Sequence, residues 1–539
     1  MNLSNLAYWP ADTSEPVLET TVGSILRDAA ARAPDQTGAI AWGLVPGQRH
    51  AWTYAELLRD AERTAQALLS RFEPGEHIAI WAPNLAEWLL LELGAGLAGI
   101  VIVTVNPAYK ARELEYVLRQ SRAVGLFYIA SFRGNPMAEW VDQVRPALPN
   151  LRDAIALEYW DEFLASVVTT RPLPSVSADD PAQIQYTSGT TGSPKGALLP
   201  HRALTNNARL FAQLIDLRPG DVYGHAMPFF HTAGCVMATL GAIQSRATHA
   251  FIPAFEPVRL LALVEQERVT HTLGVPTMLI AMLEQPQLAG RNLDALRVVA
   301  SGGASVPPEL VRNIESRFGA SFCTVYGQTE TSPLITTVRL DDAPTDKAET
   351  VGKPLPQTEV KIIDPASREI VAHATVGELC TRGYLLMTGY FDNPKATAAT
   401  IDTDGWLHTG DLATMDSRGY VRITGRLKDM VIRGGENMFP AEIESVLIEH
   451  PDVVEVAIIG VPDPKMGEEL AAFVRTGATR PDVAALHAHV RKQLAAPKTP
   501  RYWIFIDAFP LTGSGKVQKF VLRERYLAGE FSALRQECA

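Results

Sequence analysis

Apolar positions along the chain follow two spacings, and the two alternate. Val22, Ile25, Leu26, Ala29 and Ala33 are at helical spacing and predict a helix over 21–33, ended by Pro34. Trp52 to Leu57 opens a second helix, with Thr53 as N-cap and Glu56 as its capping-box partner; Leu58, Ala65 and Leu68 continue its apolar face. His77 to Trp81 reads as a strand, 85–98 as a helix, 100–105 as a strand and 106–109 as a turn. A helix over 113–121 and a strand over 123–129 follow. Residues 130–180 are rich in Pro, Asp and Arg, show no strand order, and read as surface connections.

The alternation resumes after residue 196. Leu204, Ala208, Phe211 and Ile215 mark one helix face, and Pro228 to Gly234 leads into an apolar helix reaching about Ile243. Strand 249–252, helix 257–267, strand 270–274 and helix 277–284 come next. Strand 297–300 runs into Ser301-Gly302-Gly303-Ala304-Ser305, and strand 321–325 into Tyr326-Gly327-Gln328-Thr329-Glu330. Helix and strand in turn predict a layered α/β domain, in which ligands bind beyond the carboxyl ends of strands. From 351 to 424 short strands and turns predict a β-rich subdomain. The charged break at 425–429 is the best boundary. Beyond it helix 441–449, strand 453–459, helix 482–494 and strand 502–506 predict a small α+β domain of about 110 residues. The plan is a large domain over 1–424, a hinge at 425–429 and a C-terminal domain over 430–539.

Composition narrows the class. A chain of 539 residues is too long for one core. Its 47% hydrophobic and 20% charged content is that of a soluble globular protein. A net charge of −11 without a basic run argues against nucleic acid as partner. Cys235, Cys323, Cys380 and Cys538 are far apart and form no CxxC, which suggests neither a disulfide framework nor a zinc site and suits a reducing, cytoplasmic compartment. Residues 1–10 lack the pattern of a signal peptide. The most apolar window, Leu85 to Val105, contains Glu87 and Glu92 and glycines 94, 96 and 99; a buried helix running into a buried strand explains it better than a transmembrane segment.

One stretch concentrates chemistry: Thr187-Ser188-Gly189-Thr190-Thr191-Gly192-Ser193-Pro194-Lys195-Gly196, between two apolar runs. Its glycines let backbone N–H groups turn toward an anion, its hydroxyls add donors, and Lys195 supplies a mobile charge. It suits a polyphosphate. It is not a Walker A loop, because Gly189 and Gly192 are too close and Gly196 follows the lysine.

Five motifs in order, Tyr186 to Gly196, Tyr326 to Glu330, Gly405 to Leu412, Gly425 to Asp429 and Gly513 to Lys519, make the chain resemble the adenylate-forming superfamily from about residue 50 to 520. That superfamily includes acyl-CoA synthetases, luciferases and peptide-synthetase adenylation domains. The resemblance implies two half-reactions on a mobile two-domain enzyme. ATP and a small carboxylic acid give acyl-AMP and pyrophosphate, with Mg²⁺; coenzyme A then takes the acyl group. It implies that Thr187 to Lys195 hold the β- and γ-phosphates, that Glu330 is the magnesium ligand and that Thr329 contacts the α-phosphate. Tyr326 would stack on adenine with Gly303, Ala304 and Ser305 along its other side. Asp411 and Arg426 would meet the ribose.

Lys516, in the C-terminal domain, would bridge the carboxylate and the α-phosphate. Lys428 would be the hinge, and the Gly434-Gly435 turn would replace Lys516 and line the pantetheine tunnel. His231 resembles the aromatic residue beside the substrate carboxylate. Each has a plainer structural alternative: a solvated carboxylate, a core aromatic, an Asp–Arg salt bridge, a lysine or glycine pair on an ordinary turn, a buried histidine. Lys519 reads as a surface lysine.

Val236, Met237 and Ser332 would help wall the acyl pocket. No acid lies between 226 and 246 to hold a substrate amine, and no lysine or arginine occurs there before Arg246, so an apolar tail fits. The whole-chain resemblance is nearest to medium-chain fatty-acyl-CoA synthetases. An aryl acid, a different acyl acceptor, a non-catalytic binder and a homodimer stay open at this point.

Overall fold

The computed structural model describes residues 5–167, 170–187, 194–304, 306–434, 436–477, 479–511 and 517–537, the side chain of Asn437 excepted. Ser188, Gly189, Thr190, Thr191, Gly192, Ser305, Gly435 and Lys516 lie outside the described residues. The chain has a large N-terminal and a small C-terminal α/β part. Its contacts divide it into two compact units. One is Trp9–Val360 with Thr381–Leu407; the other is Met1–Tyr8, Lys361–Cys380 and His408–Ala539.

The larger unit holds two sheets. Seven strands run in the order Gly389–Tyr390, Lys195–Pro200, Pro181–Thr187, Val101–Thr104, His77–Trp81, Gly125–Tyr128, Asp153–Ala156. Nine run from Lys353–Pro354 through Leu334–Thr337, Ser321–Gly327, Val298–Gly302, His271–Gly274, Val222–His225 and Thr248–Phe251 to the hairpin Thr37–Trp42 and Arg49–Thr53. Each sheet has its own hydrophobic core. Packed into the first are the fully buried Trp81 and Trp88, each stabilising by about 2–3 kcal/mol through burial.

The helix caps form as the sequence predicts. The Thr53 side chain accepts from Glu56 N at 3.2 Å, and Thr53 N donates to the Glu56 carboxylate at 2.9 Å, opening the helix Tyr54–Leu69. The apolar window becomes the helix Ala86–Ala98, buried from Trp88 onward, and the buried strand Val101–Thr104.

One expectation fails. Residues 130–180 are not only connections: they contain the helix Met137–Val144, the strand Asp153–Ala156 and the helix Trp160–Ala165. The strand lies at a sheet edge, and all four of its residues are half-exposed, so it lacks the apolar alternation that marks an inner strand.

The smaller unit carries most of a five-stranded sheet, ordered Tyr8–Trp9, Thr358–Ile363, Gly377–Gly383, Leu407–Met415, Val421–Arg426. Its six-stranded C-terminal sheet is covered on both faces. Along Gly467–Thr476, Leu470, Ala472 and Val474 enter one core and Ala471 and Phe473 the other, as a period of two requires.

Candidate active site

Thr187 and Lys195, the described ends of the stretch read as phosphate-binding, belong to an antiparallel pair. Thr187 lies opposite Lys195, and its hydroxyl donates to the Lys195 carbonyl at 3.4 Å. A third strand, Gly389–Tyr390, sets Tyr390 opposite Ala197. The Lys195 ammonium therefore lies over the Tyr390 ring, 4.8 Å from its centroid. On its other side Tyr390 donates its hydroxyl hydrogen to Glu330 Oε1 at 2.7 Å. Burial, and then the neighbouring carboxylate, push the Tyr390 phenol well up, so it stays the donor. The sequence reading missed Tyr390.

Glu330 sits in the short helical turn Thr329–Thr331, and its carbonyl accepts from Met387 N at 2.9 Å. Thr329 and Glu330 are each only 9% exposed, so Glu330 is not the solvated carboxylate of the plainer reading. Among the described residues no group is bonded to its second oxygen.

Two parallel strands end side by side at this turn, with Ser301 opposite Thr324 and Gly302 opposite Val325. Gly303 and Ala304 are exposed just beyond the first, and Tyr326 is half-buried at the end of the second. A Cβ on Gly327 would stand 1.9 Å from the Pro333 carbonyl oxygen, so no other residue fits. Ser332 is buried and its hydroxyl has no partner among the described residues, as is true of the buried Ser301, Thr324 and Thr232. Such orphans are uncommon and suit a site awaiting a polar ligand or water.

His231 is half-buried rather than fully enclosed, and its Nδ1 accepts from Ala233 N at 3.2 Å. The segment before it is held by the buried Asn84, which donates to the carbonyls of Met227 and Ile252 and accepts from Phe229 N at 2.8 Å. The helix after it is a π-helix, Ala233–Leu240, whose wider turn the sequence did not reveal. A Cβ on Gly234 would lie 2.3 Å from the Pro228 carbonyl oxygen, so glycine is required where this helix meets the preceding loop. Val236 and Met237 are both buried, one in each core of the large unit. A surface cavity of about 540 Å³ elsewhere, lined by Trp42, Leu44, His50, Leu85 and Glu87, includes none of the predicted site residues.

In the smaller unit Asp411 and Arg426 face each other on adjacent strands, with Arg426 Nε 2.9 Å from Asp411 Oδ1. Asp411 is buried, and the Arg426 side chain is 45% exposed. Lys428 occupies the turn Leu427–Asp429, straight after the strand that carries Arg426. Gly434 is left-handed at φ +61, and its N–H donates to the Met466 carbonyl at 2.8 Å. Lys519 is not a free surface lysine: its ammonium is 2.6 Å from Glu444 Oε1, and both side chains are about four-fifths covered.

Known proteins bear on this arrangement. Residues 26–391 match the model of the AMP-binding enzyme family, and residues 442–516 match its C-terminal domain. The YngI protein of Bacillus subtilis (strain 168) is 40% identical over 541 residues, covering 94% of this chain and 97% of its own. The medium-chain acyl-CoA ligase ACSF2, mitochondrial, of Rattus norvegicus is 34% identical, covering 97% and 90%. The ATP-bound crystal structure of MatB from Rhodopseudomonas palustris superposes with a TM-score of 0.85 at 30% identity, covering 94% and 99%. With both of its domains matched in order, the chain belongs to the AMP-binding enzyme family.

Proposed function

We propose that the protein is an AMP-forming acyl-CoA synthetase acting on a medium-chain fatty acid. A carboxylate oxygen attacks the α-phosphorus of ATP, the bond to the bridging oxygen breaks, and pyrophosphate leaves. The sulfur of CoA then attacks the acyl carbon, and AMP departs with the electron pair of the broken anhydride bond. The observation that carries this reading is the convergence of Lys195, Tyr390 and Glu330 beside the phosphate loop. It stands in a chain similar over nearly its whole length to a medium-chain acyl-CoA ligase.

The loop Thr187–Lys195 grips the β- and γ-phosphates, Thr329 meets the α-phosphate, and Tyr326 with Gly303–Ser305 holds adenine. Asp411 and Arg426 take the ribose. Lys516 offsets the repulsion between carboxylate and phosphate as the bond forms. Lys428 turns the C-terminal domain, residues 430–539, between half-reactions, and Gly434-Gly435 then takes over from Lys516. His231, Val236, Met237 and Ser332 border the acyl group, and the buried apolar helix supports a hydrocarbon tail.

Magnesium belongs to the same proposal. Glu330 fits it as a hard oxygen donor with one oxygen fixed by Tyr390. The bound ion supplies charge neutralisation for the departing pyrophosphate. A cytoplasmic setting is supported by the buried thiols of Cys235, Cys323 and Cys380, which form no disulfide among the described residues. Among the described residues no helix is long and apolar enough to cross a membrane. Homodimer formation is supported by Phe520 and Leu527, seven residues apart on one helix and 40% and 53% exposed; sedimentation tests it.

AMP release measured over a panel of straight-chain and aryl acids, with and without CoA, tests the whole reading. A maximum at medium chain length that requires CoA is the expected result. A maximum with benzoates reassigns the substrate, and pyrophosphate release without acyl-CoA formation reassigns the acceptor.

A further inference from the structure

A cluster outside the residues assigned so far stands on one face of the five-stranded sheet. Glu378 and Cys380 are two apart on Gly377–Gly383 and so point the same way. His408 is on the neighbouring strand Leu407–Met415. Its Nδ1 is 3.0 Å from Glu378 Oε2 and 3.4 Å from Cys380 Sγ, and the three ligand atoms all lie within 4.8 Å of one another. Glu378 and Cys380 are buried, and the His408 side chain is 13% exposed.

The same ring nitrogen is approached by a fourth group, Nη1 of the exposed Arg368, at 3.0 Å. A ring nitrogen carries either a hydrogen or a lone pair. The tautomer with the hydrogen on Nδ1 gives it to Glu378 and leaves the lone pair of Nε2, 3.4 Å from the same Arg368 nitrogen, to accept from the guanidinium, so Arg368 opposes a cation here by its charge. A cation bonded to oxygen, nitrogen and sulfur satisfies the three inner groups at once, while the guanidinium turns to water. Thiolate, imidazole and carboxylate are the donors of a zinc-type ion, whereas magnesium and calcium take oxygen.

We infer that Glu378, Cys380 and His408 bind a zinc-type divalent cation, distinct from the magnesium of the nucleotide, and that this ion weakens nucleotide binding. The coupling runs through Glu378, whose Oε1 also accepts from Gly410 N at 3.2 Å. Gly410 is left-handed at φ +69 and immediately precedes Asp411. An ion that draws the carboxylate away releases this backbone. This second half rests on Asp411 as the ribose acceptor; the binding half does not.

Titration of the full chain with Co(II) alone, without nucleotide, reads the binding half. One equivalent develops a thiolate-to-cobalt charge-transfer band, and Zn(II) abolishes it. Cys380→Ser removes the band, His408→Asn weakens binding at least about tenfold, and Arg368→Ala tightens it several-fold. Circular dichroism of the metal-free variants identifies any that fails to fold, in which case Arg368→Ala and zinc displacement in the unaltered chain decide. Absence of the band, or its survival in folded Cys380→Ser, overturns the site. Calorimetric titration with ATP reads the second half: Zn(II) raises Kd several-fold in the unaltered chain and not in Cys380→Ser. Equal values overturn the coupling while the cobalt band stands, and failure of ATP to bind the metal-free chain counts against the proposed function instead.

Discussion

Tyr390 gives its hydroxyl hydrogen to Glu330 at 2.7 Å while its ring lies under the ammonium of Lys195. One side chain thus ties Lys195, at the end of the proposed phosphate loop, to the proposed magnesium carboxylate.

Tyr390→Phe keeps the ring and removes the donor. It leaves a buried carboxylate oxygen unpaired, a loss of about 1.5–3 kcal/mol for a hydrogen bond to a charged group. We expect kcat/KM for ATP to fall on the order of 10- to 100-fold, with a higher magnesium requirement. Steady-state kinetics at varied magnesium check it. An unchanged value would show that Glu330 is held by other means.

Lys516→Ala removes the charge proposed to bridge the two anions. Pyrophosphate exchange should be lost, while thioester formation from supplied acyl-AMP persists. Equal loss of both half-reactions would refute the role.

Lys428→Pro fixes a backbone angle at the proposed hinge. The expected pattern is the opposite one: acyl-AMP still forms in a single turnover, and its transfer to CoA slows sharply. Rapid-quench analysis distinguishes the two steps. Transfer at the normal rate would sink the hinge assignment.

Acid should destabilise the fold. Burial lowers His201 to about 4 and His225 to about 3, and pushes the adjacent His249 well below its ordinary 6.5. Between those values and 6.5 the unfolded chain binds more protons, so stability is complete above pH 6.5 and is lost as pH falls toward 3–4. Glu92, pushed up by burial, opposes one of these protons above pH 4.5. From these four groups the slope near pH 5.5 is on the order of 2–3 kcal/mol per pH unit. Urea melts between pH 7 and 5 measure it. In His201→Asn the slope should fall by about one proton; a flat profile in the unaltered chain would contradict the buried neutral histidines.

The sequence revealed those parts of the fold and site whose signal is local. The capping box at Thr53 and Glu56, the strand ends at Gly303 and Tyr326, and the pairing of Asp411 with Arg426 can each be read from neighbouring residues or from the resemblance. Tyr390 could not, because it matters only once Gly389–Tyr390 pairs with a strand nearly two hundred residues earlier. The cluster at Glu378, Cys380 and His408 is assembled by strand pairing in the same way. The edge strand Asp153–Ala156 lacked a buried face to announce it. Lys519 looked solvated because its partner Glu444 belongs to a helix that only tertiary structure brings near.

The wide turn over Ala233–Leu240 has a consequence for how this enzyme could change its substrate. A π-helix holds one more residue per hydrogen-bonded ring than an α-helix. Deleting one residue within it would restore ordinary winding and rotate every later side chain by about 100°. Val236 and Met237 face different cores, so such a rotation would change how each of them is presented to the proposed acyl pocket. The lining of the proposed pocket can therefore be rewritten by a change in chain length as readily as by substitution.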